Sequence, residues 1–202
     1  MIRTEPIIRL QDVCKAFNSH PVLDGISIDI APGQTTVIIG PSGCGKSVLL
    51  RHIVGLLKPD SGKVFFRQSE VSALSERKLC DIRTHFGFLF QGGALFDSMT
   101  VEQNICFPLD ERAVGTRKDR KERSRTVLSL VGLDGLQSQY PQELSGGQKK
   151  RVALARAIAL NPEVILYDEP PTGLDPIRGD LINELIIKLQ NSLGATSIVV
   201  TH

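Results

Sequence analysis

The chain has 202 residues, 41% of them hydrophobic and 23% charged, with a formal net charge of +2 from 24 basic and 22 acidic side chains. That length suits one domain or two closely joined ones with a real core, while near-neutral charge, 5% aromatics and no Trp offer neither a basic field nor stacking surfaces for nucleic acid. No apolar run is long enough to span a bilayer, residues 1–6 lack the apolar stretch of a secretion signal, and Cys14, Cys44, Cys80 and Cys106 are too scattered for a zinc site or redox pair, so a reduced cytosolic domain is expected.

Residues 7–10 and 25–30 alternate apolar with polar, the pattern of half-buried antiparallel strands. Ala31-Pro32-Gly33-Gln34 is a turn signal, and residues 35–39 (Thr-Thr-Val-Ile-Ile) form a β-branched run that predicts a strand buried on both faces. A helix is expected over 47–57, closed by Lys58-Pro59-Asp60-Ser61-Gly62, then a short strand over 63–67. Polar helical patterns prevail from 72 to about 131, with a basic run over 112–125 that reads as a solvated helix face or loop; contact with acidic lipid headgroups or a partner is the minor alternative. The last third is more strongly ordered: an amphipathic helix over 147–160 stopped by Asn161-Pro162, and a buried strand over 163–167 running into Asp168-Glu169. A helix opened by Asp175 and Pro176 carries Leu181, Leu185, Leu189 and Leu193 to Gly194, before a final strand over 196–201. Strands alternating with helices predict an α/β fold with a mostly parallel sheet covered on both faces.

Gly40-Pro41-Ser42-Gly43-Cys44-Gly45-Lys46-Ser47, followed by Val48, fits the phosphate-loop pattern, with a strand before it and a helix after. Glycines let backbone N–H groups turn inward as a nest for phosphate oxygens, and the helix N-terminus adds its dipole. Lys46 brings a point charge to the β- and γ-phosphates of a nucleoside triphosphate, and the Ser47 hydroxyl is a ligand for Mg²⁺. The second half of such a site is a carboxylate at the end of another buried strand. Asp168 supplies it as the metal-water ligand, and Glu169, one residue on, is placed to polarise an attacking water.

Leu144-Ser145-Gly146-Gly147-Gln148 opens the 147–160 helix as a second anion-binding helix end. One chain has no need of two such ends, whereas two chains set head to tail need both. The full set of motifs resembles the ATP-binding cassette (ABC) family over essentially the whole chain. The resemblance implies a phosphate-loop NTPase (RecA-like) core at 1–91 and 161–202, with an N-terminal antiparallel β subdomain, and a helical subdomain with the signature motif at 92–160. It implies ATP and Mg²⁺ as cofactors, Phe17 stacked on adenine, and Gln91 touching Mg²⁺ and the attacking water. Thr172-Gly173-Leu174-Asp175 would cross the dimer interface, His202 would contact the γ-phosphate, and Ser145, Gly147 and Gln148 would reach the partner copy's γ-phosphate. Pro170-Pro171 departs from the commoner Pro-Thr or Pro-Ser after the glutamate. A cassette of this kind continues past the switch histidine, so the resemblance also implies a chain cut short after His202.

The same resemblance implies the motor subunit of a transporter at the cytoplasmic face of the inner membrane, working through a separate integral-membrane permease docked near Gln91. A nucleic-acid-linked cassette is disfavoured by the short interval from Gln91 to Ser145, and a non-hydrolysing ATP sensor by the presence of Lys46, Asp168, Glu169 and His202 together. The stretch Gly87-Phe88-Leu89-Phe90-Gln91-Gly92-Gly93-Ala94-Leu95-Phe96-Asp97-Ser98-Met99-Thr100-Val101 is similar to the ATPases of Mce-type lipid-trafficking and organic-solvent-tolerance systems. That implies a lipid substrate and a Mce-type lipid-binding partner, with a polar-solute importer as the alternative and no nucleic-acid partner.

Overall fold

In chain order the elements are β1 (Ile8–Phe17), β2 (His20–Ile30), β3 (Thr35–Ile39), α1 (Lys46–Ile53), β4 (Ser61–Phe66), β5 (Ser69–Glu70), α2 (Glu76–Arg83) and β6 (Phe86–Leu89). Then follow α3 (Val101–Glu111), α4 (Arg117–Leu130), α5 (Gly146–Ala157), β7 (Val164–Asp168), α6 (Pro176–Leu193) and β8 (Thr196–Thr201). They come from a computed structural model that describes residues 5–202. The expectation about a secretion signal falls mainly on residues 1–4 and lies outside the described residues.

The strands form two sheets, an antiparallel one in the order β2-β1-β4-β5 and a parallel one in the order β3-β8-β7-β6. The β1–β2 hairpin closes through Asn18 and Ser19, both with positive φ (48° and 66°), a turn whose twist matches that of the strands it joins.

The parallel sheet divides two cores, and β7 shows how. Its five residues are all buried, and successive side chains go to opposite faces. Ile165 and Tyr167 join the core formed with α3, α4, α5 and α6, whereas Val164 and Leu166 join the one formed with α1 and the antiparallel sheet. Each fully buried Leu or Ile in these layers contributes roughly 1.5–3 kcal/mol. Three helices open with reciprocal caps: Thr100 with Gln103, Thr116 with Asp119, and Ser145 with Gln148. Gly194, at φ 61°, ends α6.

Several expectations are corrected. The two-sided burial expected of 35–39 is not seen among the described residues, where β3 pairs with β8 on one side and Val37 and Ile39 are 52% and 74% exposed. Within the segment read as helical, β6 is a short strand pairing with β7. Helices α1 and α5 end three or four residues before 57 and 160, each in non-helical turns. Leu181 is exposed, so the buried stripe of α6 is Ile182, Leu185, Ile186 and Leu189.

The basic run is largely committed to internal contacts. Arg120 donates to the carbonyls of Val114 and Gly115 and pairs with Asp110, and Lys121 pairs with Glu102 at 3.1 Å. Arg123 donates to the carbonyls of Ile158 and Ala159, closing the C-terminal end of α5. The solvated-face reading fits only part of this run.

His52 of α1 is fully buried, its Nδ1 2.7 Å from the Val48 carbonyl and its Nε2 without a partner. Burial lowers its pKa below 6.5, outweighing the hydrogen bond to Val48; Lys15 lowers it further and Asp60 opposes. The unfolded chain therefore binds a proton that the folded one refuses, and this contribution to stability, intact above 6.5, is lost as pH falls below it. The urea midpoint should drop between pH 7 and about 5.5, and His52→Asn should flatten that slope. An unchanged slope in the variant would refute the assignment.

Candidate nucleotide site

Parallel strands end on one edge of their sheet, and ligands bind in open α/β folds at that edge. All four strands deliver candidate residues there. Gly40 follows β3, Gln91 lies two residues past β6, Asp168 ends β7 with Glu169 next, and His202 follows β8.

The loop after β3 is shaped by its glycines. Gly43 and Gly45 have φ of 81° and 97°, and a Cβ on Gly45 would lie 2.7 Å from the Val22 carbonyl of β2. A Cβ on Gly40 would come within 2.8 Å of the Cys44 sulfur. The chain thus folds tightly over Pro41, Ser42 and an exposed Cys44 before α1 begins. Lys46 is buried, and its ammonium donates to the carbonyls of Gly40 (2.7 Å) and Pro41 (3.0 Å). Val48 is half-buried in the next turn of α1, packed on the core beneath the loop.

Ser47 donates its hydroxyl hydrogen to Asp168 Oδ1 at 2.7 Å. Glu169 sits where β7 breaks into a turn, with φ of 46°, a left-handed conformation that costs an ordinary residue about 1–2 kcal/mol. Its N–H donates to the Val200 carbonyl and its own carbonyl accepts from Thr172 N–H, which hold it there. Four side chains converge on its carboxylate: Lys46 Nζ at 3.7 Å and His202 Nδ1 at 3.3 Å from Oε1, Gln91 Nε2 and Thr172 Oγ1 each at 3.2 Å from Oε2. Partial burial raises the pKa of this carboxyl, but hydrogen bonds from His202 and Thr172 and the charges of His202 and Lys46 outweigh it, leaving it below the usual range. Glu169 is therefore ionised at neutral pH and a weak base, suited to orienting water rather than to carrying its proton far.

The adjoining hydroxyl and carboxylate of Ser47 and Asp168 are hard oxygen donors of the kind Mg²⁺ takes. No group of three His, Cys, Asp or Glu arranged for a metal is found among the described residues.

The remaining candidates lie apart from Glu169. Phe17 is 42% exposed at the tip of the β1–β2 hairpin, with Lys15 Nζ 5.6 Å from its ring centre. Ser145 caps α5, accepting from Gln148 N–H while its own N–H donates to Gln148 Oε1 at 2.8 Å. Ser145, Gly147 and Gln148 line a cleft of about 340 Å³ with Arg151, Arg178 and Leu181. Asp175 caps α6 through Arg178 N–H and is ion-paired with the Arg178 side chain.

Three side chains around the site make contacts that the sequence does not indicate. Thr172, expected only as part of the interface loop, donates its hydroxyl hydrogen to the Glu169 carboxylate. Lys150 and Arg156, both on α5, aim at carbonyls and have no sequence cue. Lys150 Nζ donates to the Pro170 carbonyl at 2.7 Å; burial lowers its pKa, with the charge of Glu169 opposing. Arg156 donates to the carbonyls of Gly93 and Ala94, just past Gln91.

Beside Gln91 runs an apolar groove of about 570 Å³, lined by Phe86, Phe88, Phe90, Phe96 and Phe107. No helix among the described residues is long and apolar enough to cross a membrane.

The family profile described as "ABC transporter" matches residues 23–172. The "Probable ribonucleotide transport ATP-binding protein mkl" of Mycobacterium leprae is 40% identical over 195 residues, which span 96% of this chain and 56% of that protein. The "Intermembrane phospholipid transport system ATP-binding protein MlaF" of Haemophilus influenzae is 42% identical over 196 residues, 97% of this chain and 74% of that protein. The dimeric post-hydrolysis structure of the ATP-binding cassette MJ0796 bound to ADP and Pi superposes with a TM-score of 0.88 at 35% identity, covering 96% of this chain and 88% of that one. The chain thus spans little more than half the length of the mycobacterial relative.

Proposed function

Because this chain belongs to the ABC transporter family, we propose that it is the ATP-hydrolysing subunit of a membrane transporter, acting as a head-to-tail pair with a second copy. One observation carries this reading: Lys46, Gln91 and His202 meet on the carboxylate of Glu169 beside the Ser47–Asp168 pair.

ATP binds with its phosphates in the 40–47 nest and its adenine against Phe17. Ser47 and Asp168, with Gln91, would hold Mg²⁺, which when bound supplies charge to the phosphate oxygens. Lys46 exchanges its loop carbonyls for the β- and γ-phosphates. Ser145, Gly147 and Gln148 of the second copy close over the γ-phosphate, and Asp175 lies in the loop at the junction of the two copies. Glu169 and Gln91 orient the attacking water, while His202 and Lys46 stabilise charge on the transferred group. Residues 92–160 form the helical subdomain that moves against the core at 1–91 and 161–202.

A separate integral-membrane permease would dock in the groove beside Gln91, with the chain peripheral at the cytoplasmic face of the inner membrane. Phe88, Phe90 and Phe96 line this groove and lie in the same 87–101 stretch that is similar to Mce-type lipid systems. The likeness therefore concerns the partner-facing surface, which favours a phospholipid or related lipid as cargo and a Mce-type lipid-binding protein in the assembly. Co-purification with the products of adjacent genes tests this. A permease with a Mce-domain protein is expected, and a small soluble binding protein for polar solutes would overturn the lipid assignment.

A further inference from the structure

The loop from Glu169 to Asp175 begins with two prolines, and neither Pro170 nor Pro171 has an N–H to give. Its carbonyls are nevertheless supplied. Those of Glu169 and Pro171 accept from the N–H groups of Thr172 and Leu174. The Pro170 carbonyl accepts from Lys150, a side chain only 7% exposed, at 2.7 Å. Lys150 stands one turn inside α5, whose first turn is the Ser145–Gln148 anion-binding end. That turn lies against the same loop and the start of α6: a Cβ on Gly146 would be 3.5 Å from Leu174 of the loop, and one on Gly147 3.8 Å from Arg178 of α6. Pro171 is seated in turn against α6, where a Cβ on Gly179 would stand 3.2 Å from it.

Burying a lysine is costly unless its ammonium is used, and here it makes one hydrogen bond to a backbone carbonyl adjoining Glu169. We propose that Lys150 is a positioning residue: it fixes the Glu169 loop to the anion-binding end of α5, and so sets where the Glu169 carboxylate stands relative to the γ-phosphate. The role rests on the ATPase reading given above. Each chain contributes Glu169 to one composite site and the α5 end to the other, so Lys150 joins the two sites within a single chain. Closure of the second copy on α5 is transmitted to Glu169 through this bond and the Leu174 contact.

The test is steady-state MgATP hydrolysis by the purified chain and its Lys150→Met and Lys150→Gln variants, with thermal melting alongside. Methionine keeps the volume but cannot donate, while glutamine retains a donor. Lys150→Met should lower kcat by about tenfold with KM changed less than about twofold, and should melt within about 3 °C of the parent. Lys150→Gln should restore kcat to within about threefold. In a Glu169→Gln background, Lys150→Met should add almost nothing to the loss, because the two act as one unit. A kcat left unchanged by Lys150→Met overturns the proposal. So does a loss of rate and ATP affinity together with early melting, shared by the glutamine variant, because that marks packing alone. If the unmodified chain binds MgATP without turnover, the ATPase reading falls and this role with it. Turnover that is indifferent to Lys150→Met removes only the positioning role.

Discussion

Glu169→Gln is expected to bind MgATP with near-parental affinity while turnover falls by about two to three orders of magnitude. Glutamine keeps the shape and one oxygen acceptor, so the bonds from Gln91 and Thr172 have something to hold. What disappears is the negative charge of a carboxyl whose pKa is held below the usual range by hydrogen bonds from His202 and Thr172 and by the charges of His202 and Lys46. Without it a water beside the γ-phosphate is neither polarised nor aimed, while nothing that grips the triphosphate has changed. The bound state should therefore accumulate, and with it the paired form. Gel filtration with ATP and Mg²⁺ should show a dimer that the parent chain forms only transiently. A variant that hydrolyses ATP at more than about a tenth of the parental rate would remove Glu169 from this role.

Lys46→Ala should fail at the opposite step. The Lys46 ammonium is buried, holds two loop carbonyls, and is the only lysine paired with Glu169 among the described residues. A charge-assisted hydrogen bond to phosphate contributes about 1.5–3 kcal/mol, so the Kd for ATP should rise by roughly 10- to 100-fold. The loop also loses the donor that ties Gly40 to Pro41, which adds to the loss by loosening the nest. Fluorescence titration with a nucleotide analogue gives the answer, and a Kd within about threefold of the parent would contradict it. The two substitutions separate cleanly: one retains the nucleotide and loses the reaction, the other loses the nucleotide.

How much of this was legible in the sequence depends on whether the determinant was local. The loop at 40–47 was, because glycines at positive φ and a lysine before a helix are a local requirement that the spacing records. Asp168 and Glu169 were also legible, because an all-apolar strand announces its burial and its end. The capping residues Thr100, Thr116, Ser145 and Asp175 follow from spacing alone, although only the last two were read.

Non-local features were not visible. The four residues of β6 are too few to show a period, and Gly87 within them hides the strand further. Arg123 belongs to a run that reads as a solvated face, and nothing in the sequence marks Lys150 or Arg156, yet each reaches a backbone carbonyl at least 20 residues away. Carbonyl acceptors leave no mark on composition, so such partners can be found only in three dimensions.

The strand order β3-β8-β7-β6 has a consequence for biosynthesis. The phosphate loop and Asp168 belong to strands that are not neighbours; β8 lies between them and touches the loop through the bond from Gly40 N–H to the Thr201 carbonyl. A ribosome makes β8 after β3, β6 and β7. Until it emerges and inserts, Ser47 and Asp168 have no fixed separation, and the growing chain has no competent place for a triphosphate. Nucleotide capture thereby waits until β8 has been made, and a chain arrested before β8 cannot pair through ATP with other copies and draw them into idle assemblies.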